Sequence, residues 1–219
     1  MTKVKIDSKK IQAVIFDLNG TIINDIPFHI DAWLAFFSRR KMRLTRNYFY
    51  EKMNGRTGRD ILRAILGKHL TLESMDKLHE QKQWLYRKFY RPHVKSVPGF
   101  ENLIKELKKK GIEAAIATST TRANVRFVSK KLKLIKTINV IVSGESATRG
   151  KPAPDIYLLT ARKLKIKPQE CLVFEDAPSG VESAQRAGMK VIGVVPSGQP
   201  DFLPKSVKKI KNFRQVEVI

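Results

Sequence analysis

The chain has 219 residues, 42% of them hydrophobic and 29% charged, the make-up of a globular protein long enough to bury a sizeable core. Its net charge of +23 raises nucleic acid as a partner. The excess is spread along the chain, however, with 15 basic against 7 acidic residues between 25 and 92 and 28 against 13 elsewhere, so no specific nucleic-acid partner is expected. One cysteine excludes an internal disulfide, no apolar run approaches the roughly 18 residues of a membrane span, and Met1–Lys10 lacks the apolar segment of a signal peptide. The expectation is a cytoplasmic monomer with no membrane partner.

The first clear element is Ala13-Val-Ile-Phe16, an apolar run that reads as a fully buried parallel strand. It ends abruptly in Asp17-Leu-Asn19-Gly20-Thr21. Helical patterns follow at about 28–39, 46–53, 58–67 and 71–90, with no strand-like alternation between Asp25 and Pro92. That stretch holds 11 of the 18 aromatic residues and so requires a core of its own. It is read as an inserted all-helical domain over 25–92, within a core domain made of 1–24 and 93–219.

From Pro98-Gly99 the pattern alternates: helix 100–110, strand 113–117, helix 122–132, strand 139–142, helix 155–164, strand 171–174, helix 179–187 and strand 190–195. This predicts an α/β fold, a doubly wound parallel sheet with helices on both faces. A short edge strand is expected at 216–219.

Four strands or their following loops end in polar groups: Asp17, Thr118-Ser119, Lys151 and Glu175-Asp176. In open α/β sheets the carboxyl ends of the strands form the ligand rim. Three carboxylates converging there call for a cation, and an oxygen-only donor set favours a hard one such as Mg²⁺. Hydroxyls, backbone N–H groups and an ammonium suit a phosphoryl group.

In this order, Asp17-Leu-Asn-Gly-Thr21, Thr118-Ser119, Gly150-Lys151-Pro152 and Val173-Phe-Glu-Asp176 resemble the motifs of the haloacid dehalogenase-like hydrolases, and the insert is similar to the helical cap of their β-phosphoglucomutase-like branch. The resemblance implies a Rossmann-like core and Mg²⁺-dependent phosphoryl transfer on a small phosphorylated metabolite. Asp17 would be the nucleophile that forms an aspartyl-phosphate. Asp17, Asn19 through its carbonyl, Asp176 and nearby Glu175 would serve the metal. Thr118, Ser119 and Lys151 would hold the phosphoryl group. His29, Arg56 and Arg59, in the insert, are candidate substrate contacts.

One departure stands out. The family places a second Asp, its general acid and base, where this chain has Asn19, and a carboxamide has no proton to exchange near neutral pH. Activity is therefore expected to be impaired or altered, with His29 a candidate surrogate proton carrier. The alternative is a protein that binds a phosphorylated ligand with little or no turnover.

Overall fold

The computed structural model describes residues 3–53, 57–67 and 69–219. The chain divides into two compact units, a core unit of Met1–Asn24 with Lys95–Ile219 and a helical unit of Asp25–Val94.

The core unit is built on β2 (Ala13–Phe16), β3 (Glu113–Thr118), β4 (Val140–Ser143), β5 (Cys171–Glu175), β6 (Lys190–Val194) and β7 (Lys209–Ile210), in the order β4-β3-β2-β5-β6-β7 and all parallel. All four residues of β2 are fully buried because the strand lies between β3 and β5 with both faces covered. Alternate residues serve opposite faces. Ala13 and Ile15 join Ala115, Ala117, Cys171 and Val173 against α7 (Asp155–Leu164) and α8 (Pro178–Arg186). On the other face Phe16 lies 5.3 Å edge-on from Phe100, at the start of α5 (Phe100–Lys109), and 5.4 Å from Phe174 in a stack, with Phe213 closing the group. Each such phenyl ring contributes about 1.5–3 kcal/mol on burial. α6 (Arg122–Leu132) is capped by the Thr121 hydroxyl, which accepts from the Asn124 N–H.

The chain passes outward from β2 to β3 and β4, then returns to β5 on the other side of β2. That reversal is the switch point at which open α/β sheets leave a crevice. Two short strands escape the sequence pattern, β1 (Val4–Ile6) and β7. The C-terminal strand β8 (Val216–Val218) is not an edge of the main sheet as expected. It pairs in parallel with β1, anchored by the Ser8 N–H donating to the Ile219 carbonyl at 2.9 Å, and β7 takes the edge instead. Beside β2, Ile23 forms an antiparallel bridge with Ser96, and the Val97 N–H donates to the Ile22 carbonyl at 2.7 Å.

The helical unit comprises α1 (Ile26–Ser38), α2 (Arg46–Tyr48) continued by the wider turn Phe49–Met53, α3 (Gly58–Leu66) and α4 (Leu72–Tyr90). Thr57 and Thr71 cap α3 and α4 by accepting the Asp60 and Ser74 N–H groups. α1 packs along α4 through Ile30, Trp33, Phe36 and Phe37 against Met75, Leu85 and Tyr86, all buried. The unit ends at Val94 and not Pro92, because the 3₁₀ turn Arg91–His93 prolongs α4 and the His93 ring lies 5.0 Å from Phe28. Among the described residues no helix is long and apolar enough to cross a membrane.

Candidate active site

Asp17 follows the last residue of β2 and is buried, and its N–H donates to the Phe174 carbonyl at 3.0 Å. Gly20 turns the chain back with φ +79°, a left-handed conformation that glycine adopts without strain. A side chain at Gly20 is also barred by contact, since its Cβ would come within 2.0 Å of Asp176 Oδ2. The same holds at Gly180 on α8, whose Cβ would stand 1.7 Å from Glu175 Oε1. Two glycines thus make the space in which the adjacent acids Glu175 and Asp176 sit.

Lys151 holds the centre. Its Nζ donates to Asp17 Oδ1 at 2.7 Å and to Glu175 Oε1 at 2.5 Å, and it reaches the Ala117 carbonyl at 3.4 Å. Burial works against its charge, but Asp17 and Glu175 outweigh that cost and hold the ammonium charged well above the ordinary lysine range. Asp176 is in the opposite position. Burial, then the charges of Glu175 and Asp17, push its carboxyl well above the usual carboxylate range, against the pull of Lys151 and the Thr21 hydroxyl, which donates to its Oδ1 at 3.2 Å. Thr118 ends β3, buried, and its hydroxyl donates to Asn19 Oδ1 at 3.4 Å. Ser119 follows it, exposed, with its carbonyl packed against Gly144.

The structure therefore gathers Asp17, Asn19, Thr118, Lys151, Glu175 and Asp176 at the switch point. Glu175, expected near the metal, has both carboxylate oxygens engaged by protein groups. Its Oε1 accepts from Lys151 and from the Tyr157 hydroxyl at 3.0 Å, and its Oε2 accepts from the Ala177 N–H at 2.9 Å. Among the described residues no three His, Cys, Asp or Glu side chains form a metal cage. Tyr157 escaped sequence reasoning. It is fully buried on α7, and its ring lies 4.9 Å from Lys151 Nζ. Its placement in the first turn of α7, two positions past Asp155, is the only signal the sequence carries.

Two of the three candidate substrate contacts of the insert fall within the described residues. Arg56 lies outside the described residues. Arg59 does not project alone; its Nε and Nη2 grip Asp76 on α4 at 2.7 and 2.8 Å, an ion pair within the helical unit. His29 is packed inside that unit, stacked 3.8 Å from Tyr86, with Nδ1 2.6 Å from Lys82 Nζ and Nε2 3.3 Å from Asp25 Oδ2. Burial and the Lys82 charge lower its pKa, against Asp25. Tyr86 donates to the same Asp25 oxygen at 2.5 Å.

The parallel α/β sheet thus carries at its switch point a strand-end carboxylate, Asp17, and a lysine bridged between two carboxylates. Residues 14–194 match the profile of the haloacid dehalogenase-like hydrolases, and the chain belongs to that family. It is 33% identical to the phosphorylated carbohydrates phosphatase of Thermotoga maritima over 85% of this chain and 86% of that one. It is 30% identical to the β-phosphoglucomutase of Bacillus subtilis over 86% of this chain and 85% of the relative. In structure it matches a HAD hydrolase of family IA, variant 3, from Entamoeba histolytica, with a TM-score of 0.88 and 35% identity over 94% of this chain and 96% of that one.

Proposed function

We propose that this protein is a Mg²⁺-dependent phosphoryl-transfer enzyme, a phosphatase or mutase acting on a small phosphorylated carbohydrate. The observation that carries the reading is the Lys151 ammonium, held between Asp17 and Glu175 at the switch point. The relatives that act on phosphorylated carbohydrates support it.

Asp17 is the nucleophile: a carboxylate oxygen bonds to phosphorus as the bond from phosphorus to the substrate's leaving oxygen breaks, that oxygen keeps the electron pair, and an aspartyl-phosphate forms. Lys151, already 2.7 Å from Asp17, offsets the charge that builds on the phosphoryl oxygens. The Thr118 and Ser119 hydroxyls donate to those oxygens. Glu175 keeps Lys151 in place, and Tyr157 keeps Glu175 in place.

The donor set fits Mg²⁺. Asp17, the Asn19 carbonyl and Asp176 offer oxygen only, and burial with the charges of Glu175 and Asp17 disfavours the Asp176 carboxylate more than Lys151 favours it. Asp17, the Asn19 carbonyl and Asp176 would hold Mg²⁺, which would supply positive charge against the phosphoryl oxygens. The helical unit serves substrate selection in this reading.

A second reading, saturable binding of a phosphorylated ligand with little turnover, is favoured by Asn19. A panel of sugar phosphates with Mg²⁺ separates the two. The enzyme reading expects phosphate release or transfer that disappears in Asp17→Asn. Saturable Mg²⁺-dependent binding with no release from any member favours the second reading.

A further inference from the structure

Between the end of α1 and the middle of α4 the helical unit leaves a cavity of about 550 Å³, a volume in the range of small-molecule sites. Phe36 and Leu85 give it an apolar side. Trp84 gives it another, and 51% of that residue is exposed, although an indole left in water loses the burial that most tryptophans gain. Arg40 is fixed against this lining. Its Cζ lies 3.7 Å from the centroid of the Phe36 ring, its Nη1 donates to the Phe36 carbonyl at 3.0 Å, and its Nη2 donates to Gln81 Oε1 at 2.7 Å. Those bonds use two of the five guanidinium N–H groups and hold the rest in place in advance.

Arg39 lines the same cavity, and its guanidinium has no hydrogen bond or ion pair among the described residues. Burial first, then the Arg39 charge, lowers the Arg40 pKa. The one carboxylate of the lining, Glu80, is taken by Arg87. Lys77, also in the lining, is held by Glu73 at 2.7 Å, and Lys88 adds a cation 5.4 Å from the Trp84 ring. Cations after a helix end ordinarily answer the helix dipole. Arg40 does this through the Phe36 carbonyl; the Arg39 side chain makes no such bond.

We propose that this cavity binds a small aromatic anion, its flat ring against the Trp84 indole and its carboxylate or phosphate on Arg39 and the uncommitted N–H groups of Arg40. Indole faces and guanidinium planes both take flat rings, and a guanidinium pair without its own carboxylate is complementary to an anion. The site lies wholly within the helical unit and shares no residue with the strand-end rim, so it stands apart from the phosphoryl-transfer reading.

Isothermal titration calorimetry on the full chain, in EDTA so that no Mg²⁺ reaches the core unit, tests this. The probes are adenosine 5′-monophosphate and naphthalene-2-carboxylate, with adenosine and inorganic phosphate as the ring and the anion alone. An aromatic anion should bind saturably, and adenosine and phosphate at least about tenfold more weakly. Trp84→Ala should weaken that binding roughly 5–100-fold, the scale of losing an aromatic stacking surface. Arg39→Gln should weaken it about tenfold and reduce its sensitivity to salt. Both side chains are exposed, so thermal denaturation of each variant should match the natural chain. Binding of the nucleotide alone, or of the carboxylate alone, supports the site and identifies the source of its anion. Absence of saturable binding by both overturns the inference, as does binding that neither substitution weakens. Nucleotide binding lost in Lys151→Ala and unchanged in Trp84→Ala assigns the anion to the core unit and overturns it as well, leaving the phosphoryl-transfer reading intact.

Discussion

Each unit of the molecule buries a lysine, and the two meet opposite electrostatic fates. In the core unit Lys151, with 7% of its side chain exposed, touches carboxylate oxygens of both Asp17 and Glu175 and stays charged well above the ordinary lysine range. In the helical unit Lys82, 2% exposed, has the His29 ring nitrogen at 2.6 Å and lies 5.0 Å from the Trp33 ring and 5.7 Å from the Tyr86 ring. Its carboxylate, Asp25, is engaged by His29 and Tyr86. Burial lowers the Lys82 pKa to about 7, and Asp25 only moderates the fall. Desolvation acts on both ammonium groups. What separates them is direct contact with carboxylate oxygens, which offsets the loss of water where an imidazole and two aromatic faces do not.

The sharpest way to break this contrast is to remove the well-paired lysine. Lys151→Ala leaves Asp17 and Glu175 buried without their cation. Under the proposed activity kcat should fall about 10²–10³-fold, the scale of losing one preorganised charge-stabilising donor. Urea denaturation should show a stability loss of about 3–5 kcal/mol, the scale of stripping a buried ion pair of one partner. A small change in both would mean that the two acids do not depend on Lys151.

Removing the poorly paired lysine should do something different. The folded chain holds Lys82 at about 7 instead of 10.5 and His79 at about 4 instead of 6.5, so it binds fewer protons than the unfolded chain between pH 4 and 6.5 and again between 7 and 10.5. Stability of the helical unit should therefore rise with pH through both windows, by on the order of a few kcal/mol in the upper one. Denaturation followed by Trp33 fluorescence in a Trp84→Phe background, at pH 5.5, 7.5 and 9.5, reads this directly. Lys82→Met should flatten the upper window and, because the Lys82 charge also holds the His79 pKa down, narrow the lower one. A rise that survives the substitution would place its origin elsewhere.

The smallest effect belongs to Tyr157→Phe, which keeps the ring beside Lys151 and removes only the hydroxyl that donates to Glu175. Loss of a buried hydrogen bond to a charged oxygen should cost about 1.5–3 kcal/mol of stability. The activity readout should be a kcat lowered several-fold with KM nearly unchanged, because Lys151 is displaced while the rest of the substrate's contacts remain. A change confined to stability would reduce Tyr157 to a packing residue.

Much of this arrangement is legible along the chain. Ala13–Phe16 has no polar residue to offer water, so its burial on both faces follows from composition. The polar residues that end the strands are equally visible, because an acid after an apolar run has few structural uses. What stays hidden depends on contacts between distant positions. Lys82 sits in a polar helical stretch and reads as a solvated charge; only packing against Trp33 and His29, 49 and 53 residues earlier, makes it a core residue. Nothing around Arg59 reveals that its guanidinium is held by Asp76, 17 residues on. The pairing of β1 with β8 joins strands of three residues each, too short for a periodic signal.

The isolated bridge between Ile23 and Ser96 makes the path into the insertion and the path out of it neighbours within the core unit. A cassette held by so narrow a stem imposes no spacing on the frame that carries it. Helices can lengthen, shift or be exchanged in the segment between, while the distances that define the phosphoryl chemistry stay fixed by the parallel strands. Diversification of what such a protein recognises is thereby uncoupled from preservation of what it does.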